Sequence, residues 1–144
     1  MKKNSGFTLI ELLVVIAVIG LLATLIIATA NNSRKKAADA RIRNGIGQIR
    51  WLAEIVYNSQ NSSFENWSSY PSIQVSLQQL KTEIDEAYGG TDVTVIRDTE
   101  IQTYCVSAPL LSEPGKYYCT DADAIFRTVS SACPDTAPFQ CPSS

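Results

Sequence analysis

The chain has 144 residues and a formal net charge of −2, enough for one domain and an appendage. It contains no histidine, which removes the commonest general base and metal ligand and excludes a Ser-His-Asp triad. The charge is unevenly laid out. Residues 34–50 hold six basic residues and one acid, whereas from Trp51 onward 4 basic and 12 acidic residues leave a balance of −8, a body that does not point to nucleic acid.

The chain opens on Met1-Lys2-Lys3-Asn4-Ser5-Gly6, a short, polar, positive leader. Phe7-Thr8-Leu9-Ile10-Glu11 comes next, and after Glu11 no charge appears until Arg34. Leu12 to Ala30 is nearly all apolar over 19 residues. At ~1.5 Å per residue this is a helix of about 29 Å, close to the ~30 Å hydrocarbon core of a bilayer. Lys2 and Lys3 hold the leader on the cytoplasmic side and send the rest of the chain outward. One reading is a secretory signal peptide, for which Ala28-Thr29-Ala30 has the small-x-small cleavage form. A second is a plain single-pass anchor. Neither gives Glu11 a purpose, although a carboxylate in lipid costs roughly 2.5–3.5 kcal/mol at the membrane centre and less near the surface.

Gly6-Phe7-Thr8-Leu9-Ile10-Glu11-Leu12-Leu13-Val14-Val15-Ile16 resembles the processing motif of type IV pilins and of the pseudopilins of type II secretion. The match covers roughly Lys2 to Ala30, about a fifth of the chain. The resemblance implies that prepilin peptidase cuts between Gly6 and Phe7 and that Phe7 is N-methylated. It implies that Glu11 is an assembly residue, pairing with the new amine of Phe7 in its own subunit or a neighbour. Breaking one partner of such a buried pair costs about 3–5 kcal/mol. The partners it implies are the peptidase, copies of itself or related pilins in a filament, the inner-membrane assembly machinery, and membrane lipid before assembly. The location it implies is a single-pass cytoplasmic (inner) membrane protein with an extracytoplasmic C-terminal head, then a filament on the cell surface or in the periplasm. The chain departs from many pilins at Ile26-Ile27-Ala28-Thr29, which holds no helix-kinking proline, so a straighter first helix is expected.

Asn31-Asn32-Ser33 reads as the exit from the bilayer or a local loosening of the helix. Beyond it Ala38, Ile42, Ile46, Ile49, Leu52, Ala53 and Val56 recur at steps of 3 and 4, the period of an amphipathic helix. The spacing predicts one helix from about Phe7 to Tyr57. Gly45 and Gly47 each cost that helix roughly 1 kcal/mol relative to alanine. They are either tolerated weak spots or places where a sheet comes close. Arg34, Lys35, Lys36, Arg41, Arg43 and Arg50 form a basic neck, suited to anionic headgroups or to the acidic head of a neighbouring subunit.

Residues 58–70 read as a loop anchored by Phe64, Trp67 and Tyr70. Asn61-Ser62-Ser63 and Asn66-Trp67-Ser68 have the form of glycosylation sequons, and read equally as ordinary loop residues. Leu77, Leu80, Ile84 and Ala87 predict a helix over Gln74–Tyr88, ended by Gly89-Gly90. Strands are expected at 92–97, 101–108, 116–120 and 124–129, with a turn at Ser112-Glu113-Pro114-Gly115. Cys105, Cys119, Cys133 and Cys141 all fall in the last 40 residues. They are even in number behind an exported N-terminus, so disulfides are expected in one of three connectivities. Folding the hairpin about Ser112 sets Cys105 opposite Cys119 and predicts Cys105–Cys119 with Cys133–Cys141. A crossed pattern tying the tail to the hairpin is the alternative.

The fold class expected is α+β: a long N-terminal helix packed on a C-terminal antiparallel sheet, which the resemblance makes pilin-like. The expected organisation is a cleaved leader (1–6), a transmembrane and assembly helix (7–30), an amphipathic second half (31–57) and a globular head (58–144). There is no Cys-x-x-Cys and no nucleophile motif, so no catalytic residue, cofactor or metal is expected. Asp121, Asp123 and Asp135 have the chemistry of calcium ligands but read instead as a solvated turn. The function expected is a structural subunit of a type IV pilus-like filament or type II secretion pseudopilus. The alternative is a membrane-anchored or secreted binding module with an acidic extracytoplasmic head.

Overall fold

Apolar periodicity without a proline breaks only where the chain runs out of it, and the helix does the same: α1 spans Leu9–Ser59 without interruption. The structure is a computed structural model and describes residues 7–143. Leader residues Lys2 to Gly6 lie outside them. The chain falls into two units, one ending at Arg34 and the other running from Lys35, and α1 contributes to both. Asn31-Asn32-Ser33 does not loosen it.

In the first unit the large apolar side chains described between Phe7 and Ile26 are all exposed. The helix is long and apolar enough to cross a membrane. Its few hydroxyls bond back to the helix: Thr24 donates to the Leu21 carbonyl at 2.8 Å, Thr29 to Ile26 at 3.0 Å and Ser33 to Thr29 at 3.1 Å. A hydroxyl satisfied by its own backbone can sit in hydrocarbon without an unpaired polar group.

The second unit is built on the rest of α1. Ile42, Ile46, Ile49, Ala53 and Val56 form its buried stripe. Two short 3₁₀ turns, Trp67–Ser69 and Pro71–Ile73, lead into α2, Gln74–Tyr88. Gly89 and Gly90, at φ +129° and +83°, end α2, and the Gly90 N–H bonds the Asp85 carbonyl at 2.7 Å. Left-handed backbone of this kind closes a helix, and glycine takes it at least cost.

Four strands complete the unit, β1 (Val95–Arg97), β2 (Cys105–Pro109), β3 (Tyr117–Asp121) and β4 (Phe126–Val129), in an antiparallel sheet of order β1-β2-β3-β4. The α+β architecture expected from the sequence is therefore the one observed. β1 starts three residues later than expected because Asp85 on α2 accepts from the Val93 and Thr94 amides at 3.1 and 3.3 Å. Those donors are then lost to any ladder.

The central strand β2 is covered on both faces. Tyr104, Val106, Ala108 and Leu110 pack with the α1 stripe, α2, Phe64 and Trp67. On the other face Cys105, Cys119 and Val129 pack with Cys133, Phe139 and Cys141 of the tail. This explains why β2 shows buried residues in unbroken succession rather than the alternation of a half-exposed strand.

The bridges are Cys105–Cys133 and Cys119–Cys141, with Cα atoms 5.8 and 5.9 Å apart. The expected Cys105–Cys119 and Cys133–Cys141 pairing is overturned in favour of the crossed pattern. The reason is register. β2 and β3 pair Cys105 with Asp121 and Ser107 with Cys119, so the hairpin is centred on Glu113 rather than Ser112. The cysteines become diagonal neighbours on one face, and the tail crossing that face supplies a closer partner for each.

Candidate functional site

The first turn of α1 is the candidate assembly site. Thr8 precedes the helix and Glu11 lies three residues on. The Thr8 N–H and hydroxyl both donate to Glu11 Oε2, at 2.9 and 2.8 Å, and the Glu11 N–H donates to Thr8 Oγ1 at 3.3 Å. This is a reciprocal capping box, which satisfies amides that a helix start leaves without partners. The carboxylate also sits at the positive end of the helix dipole, where negative charge is favoured. Within a single chain, then, Glu11 already has a partner. Phe7, the expected methylation site, is 85 % exposed beside it. Gly6, the expected cleavage site, lies outside the described residues.

Beyond Glu11 the exposed apolar surface runs on to Ile26, and it reappears in the second unit. Trp51, 70 % exposed, and Ile55 stand one turn apart on α1, away from its buried stripe. Gly47, a turn before Trp51, opens onto free space.

The basic neck divides in two. Arg34, Lys35, Lys36 and Arg41 are exposed. Arg43 and Arg50 are held by the head: Arg43 stacks on Tyr118 at 4.6 Å and meets Glu113 at 3.4 Å, and Arg50 lies 5.7 Å from the Phe126 ring and 3.4 Å from Glu54. Such half-exposed pairs contribute little stability each. Asp39, the acid among these cations, is 4 % exposed. It accepts from the backbone N–H of Leu111 at 2.6 Å and of Ser112 at 3.0 Å, and from the Ser112 hydroxyl, fixing the β2–β3 turn to α1.

The three aspartates with calcium-ligand chemistry are dispersed. Asp121 is buried and accepts from the Cys141 N–H at 2.9 Å; Asp135 pairs with Arg97 at 2.5 Å; Asp123 is exposed. Among the described residues, the grouping tight enough for a metal is Cys105, Cys119 and Cys141, whose sulfurs are bonded in bridges and offer no thiolate. Of the sequon residues, Asn61 and Asn66 are exposed while Trp67 is fully buried.

Three residues of consequence escape a reading by composition and periodicity. Thr8 carries a signal, the Thr-x-x-Glu spacing before an apolar run. Trp51 carries one too, a large aromatic off the buried stripe. Asp39 carries none, since its partners lie 72 and 73 residues away.

Residues 1–27 match the family model of the prokaryotic N-terminal methylation motif. Over 143 residues, 99 % of this chain and 100 % of the relative, the sequence is 29 % identical to the type IV wide pilus major component PilA4 of Thermus thermophilus. Over 66 residues, 46 % of this chain and 42 % of the relative, it is 35 % identical to a probable minor fimbrial protein of Dichelobacter nodosus. No solved structure matches the chain significantly. The resemblance carried by Gly6 to Ile16 is thus borne out: the chain bears the prokaryotic N-terminal methylation motif, and its likeness is to type IV pilins.

Proposed function

We propose that the protein is a structural subunit of a type IV pilus-like filament or a type II secretion pseudopilus. The observation that carries this reading is the first half of α1, uncharged from Leu12 to Ala30 and with every large apolar side chain described up to Ile26 exposed, behind one acid in a methylation motif. The likeness to a pilus component over nearly the whole chain supports it. The relatives are named as a pilus major component and a probable minor fimbrial protein, and the protein is read accordingly as a building block rather than an enzyme.

In this reading the precursor sits in the cytoplasmic membrane by α1, with its head outside. Prepilin peptidase removes residues 1–6 and Phe7 is N-methylated. The inner-membrane assembly machinery then draws subunits from lipid into a filament on the cell surface or in the periplasm. Exchange of lipid contacts for helix contacts gives little hydrophobic gain, so packing and polar pairing decide the outcome. Glu11 leaves its cap on Thr8, or shares it, to meet the Phe7 amine of a neighbour. Lipid is the partner before assembly and related helices after it.

Mass spectrometry of the exported protein tests the reading. A mature chain beginning at N-methylated Phe7, recovered in sheared filaments, is the expected result. A chain beginning at Asn31 overturns it in favour of a secreted module, and an unprocessed Met1 in favour of a plain anchor.

A further inference from the structure

The two bridges are not independent. Cys105 Sγ and Cys119 Sγ belong to different disulfides and lie 3.4 Å apart. The sulfurs of Cys105, Cys119 and Cys141 all fall within 4.8 Å of one another. Cys105 and Cys119 are fully buried, diagonal on the tail-facing side of β2 and β3; Cys133 and Cys141 form the slightly more open edge of the same cluster. A thiolate formed at Cys119 would therefore face a disulfide sulfur at the separation of a near-attack arrangement.

We propose that the tail is a redox latch which one pair of electrons opens at both of its anchors, by internal disulfide interchange. A dithiol reductant attacks Cys141 Sγ, forming a mixed disulfide and expelling the Cys119 thiolate. That thiolate attacks Cys105 Sγ, forming the Cys105–Cys119 bond and expelling the Cys133 thiolate. The second thiol of the reductant then resolves the mixed disulfide, leaving as its own disulfide and releasing the Cys141 thiolate. The sum is one reductant oxidised, one protein disulfide reduced, and two tail thiols that take up protons according to pH. Without interchange, the same two electrons would leave the tail tied to the hairpin by one bridge. With it, residues 130–143 are held only by contacts such as the Ser107 hydroxyl accepting from the Cys133 N–H at 3.0 Å and the Arg97–Asp135 pair. The hairpin gains a bridge of its own in the exchange. This inference stands on the sulfur geometry and is separate from the filament reading.

The full chain in detergent is treated with limiting dithiothreitol, quenched with N-ethylmaleimide and cut with trypsin. Cleavage after Arg97, Lys116 and Arg127 puts Cys105, Cys119 and the Cys133/Cys141 pair on three separate peptides. The expected first product is a tail peptide alkylated twice, together with a disulfide joining the Cys105 and Cys119 peptides. A tail peptide alkylated once and still joined to a hairpin peptide overturns the proposal, as does direct passage to four alkylated cysteines. A second arm uses the double variant Cys133→Ser, Cys141→Ser oxidised in a glutathione buffer. Near-complete formation of a Cys105–Cys119 bond supports interchange, and persistence of two free thiols overturns it.

Discussion

Gly45 on α1 lies so close to Ile84 on α2 that a methyl group there would stand 2.6 Å from Ile84 Cγ1 and 2.9 Å from Cδ1. Ile84 is fully buried and β-branched, so it has neither room nor rotamers with which to retreat. The glycine is what lets the two helices approach. Gly47, two residues on, meets nothing within 4 Å. The pair gives opposite expectations for the same substitution. Gly45→Ala should lower stability by about 1–2 kcal/mol, the overpacking cost outweighing the gain in helix propensity. Gly47→Ala should raise it by up to about 1 kcal/mol. Urea unfolding of the two variants in detergent, followed by circular dichroism, checks both; equal effects would remove the close approach from the account.

Asp39 ties α1 to the turn between β2 and β3 through two backbone amides and a hydroxyl. Asp39→Ala leaves the Leu111 and Ser112 N–H groups without their acceptor in a partly buried place. A loss of roughly 2–3 kcal/mol is expected, since bonds to a charged group are strong and orphaned buried donors are costly. Asp39→Asn keeps one acceptor oxygen and should lose less. Hydrogen exchange gives a local readout: the Leu111 and Ser112 amides should exchange much faster in the alanine variant, and unchanged rates there would show that the turn holds itself.

Tyr104 packs against Phe64 and Trp67, with ring centroids 4.7 and 5.6 Å away. Its hydroxyl is buried near Arg50 and Glu54 and, among the described residues, meets no partner in hydrogen-bond geometry. Burial, and then the Glu54 carboxylate, push its ionisation well above the ordinary value of 10.0. The folded chain thus keeps its proton after the unfolded chain has lost it. Stability on this account is intact below pH 10 and falls as pH rises further. Tyr104→Phe removes the unpartnered hydroxyl, so it should match or exceed the wild type at neutral pH, by up to about 1 kcal/mol. It should also lose less stability above pH 10. Thermal melts across that range decide it, and equal alkaline losses in both proteins would place the cause elsewhere.

How much the sequence made legible depends on how local each cause is. α2 over Gln74–Tyr88 was readable because Leu77, Leu80 and Ile84 share one face and Gly89-Gly90 come directly after. The buried stripe of α1 was readable for the same reason. The disulfide pairing was not, because shifting the hairpin centre by one residue moves Cys105 from opposite Cys119 to opposite Asp121, and no local signal fixes that centre. At Gly45 the sequence left open a tolerated weak spot or the approach of a sheet, and the close neighbour is Ile84 of α2, since a missing side chain signals proximity without naming the neighbour. At the candidate site Glu11 stood out by its charge in an apolar run. Its bond to Thr8 was equally legible in the Thr-x-x-Glu spacing, but is hidden when the acid is weighed only against lipid.

The cap that Glu11 makes with Thr8 and the assembly role proposed for it can be separated by one substitution. As a cap it needs an oxygen that accepts from Thr8, which glutamine supplies as well as glutamate. As the partner of a cationic Phe7 amine it needs a negative charge, which glutamine lacks. Glu11→Gln should accordingly leave the helix content in detergent unchanged and abolish filaments, because a neighbour's amine would be left in lipid-like surroundings without a counter-charge. Thr8→Val makes the reverse change. It removes the side-chain cap, at about 1 kcal/mol, and keeps the carboxylate, so filaments should still form. Sheared-filament yield with circular dichroism of the extracted subunit reads both variants. Normal filaments from Glu11→Gln would reduce the acid to a helix cap and remove charge pairing from assembly, while loss of filaments from Thr8→Val alone would show that the cap, and not the charge, is what assembly requires.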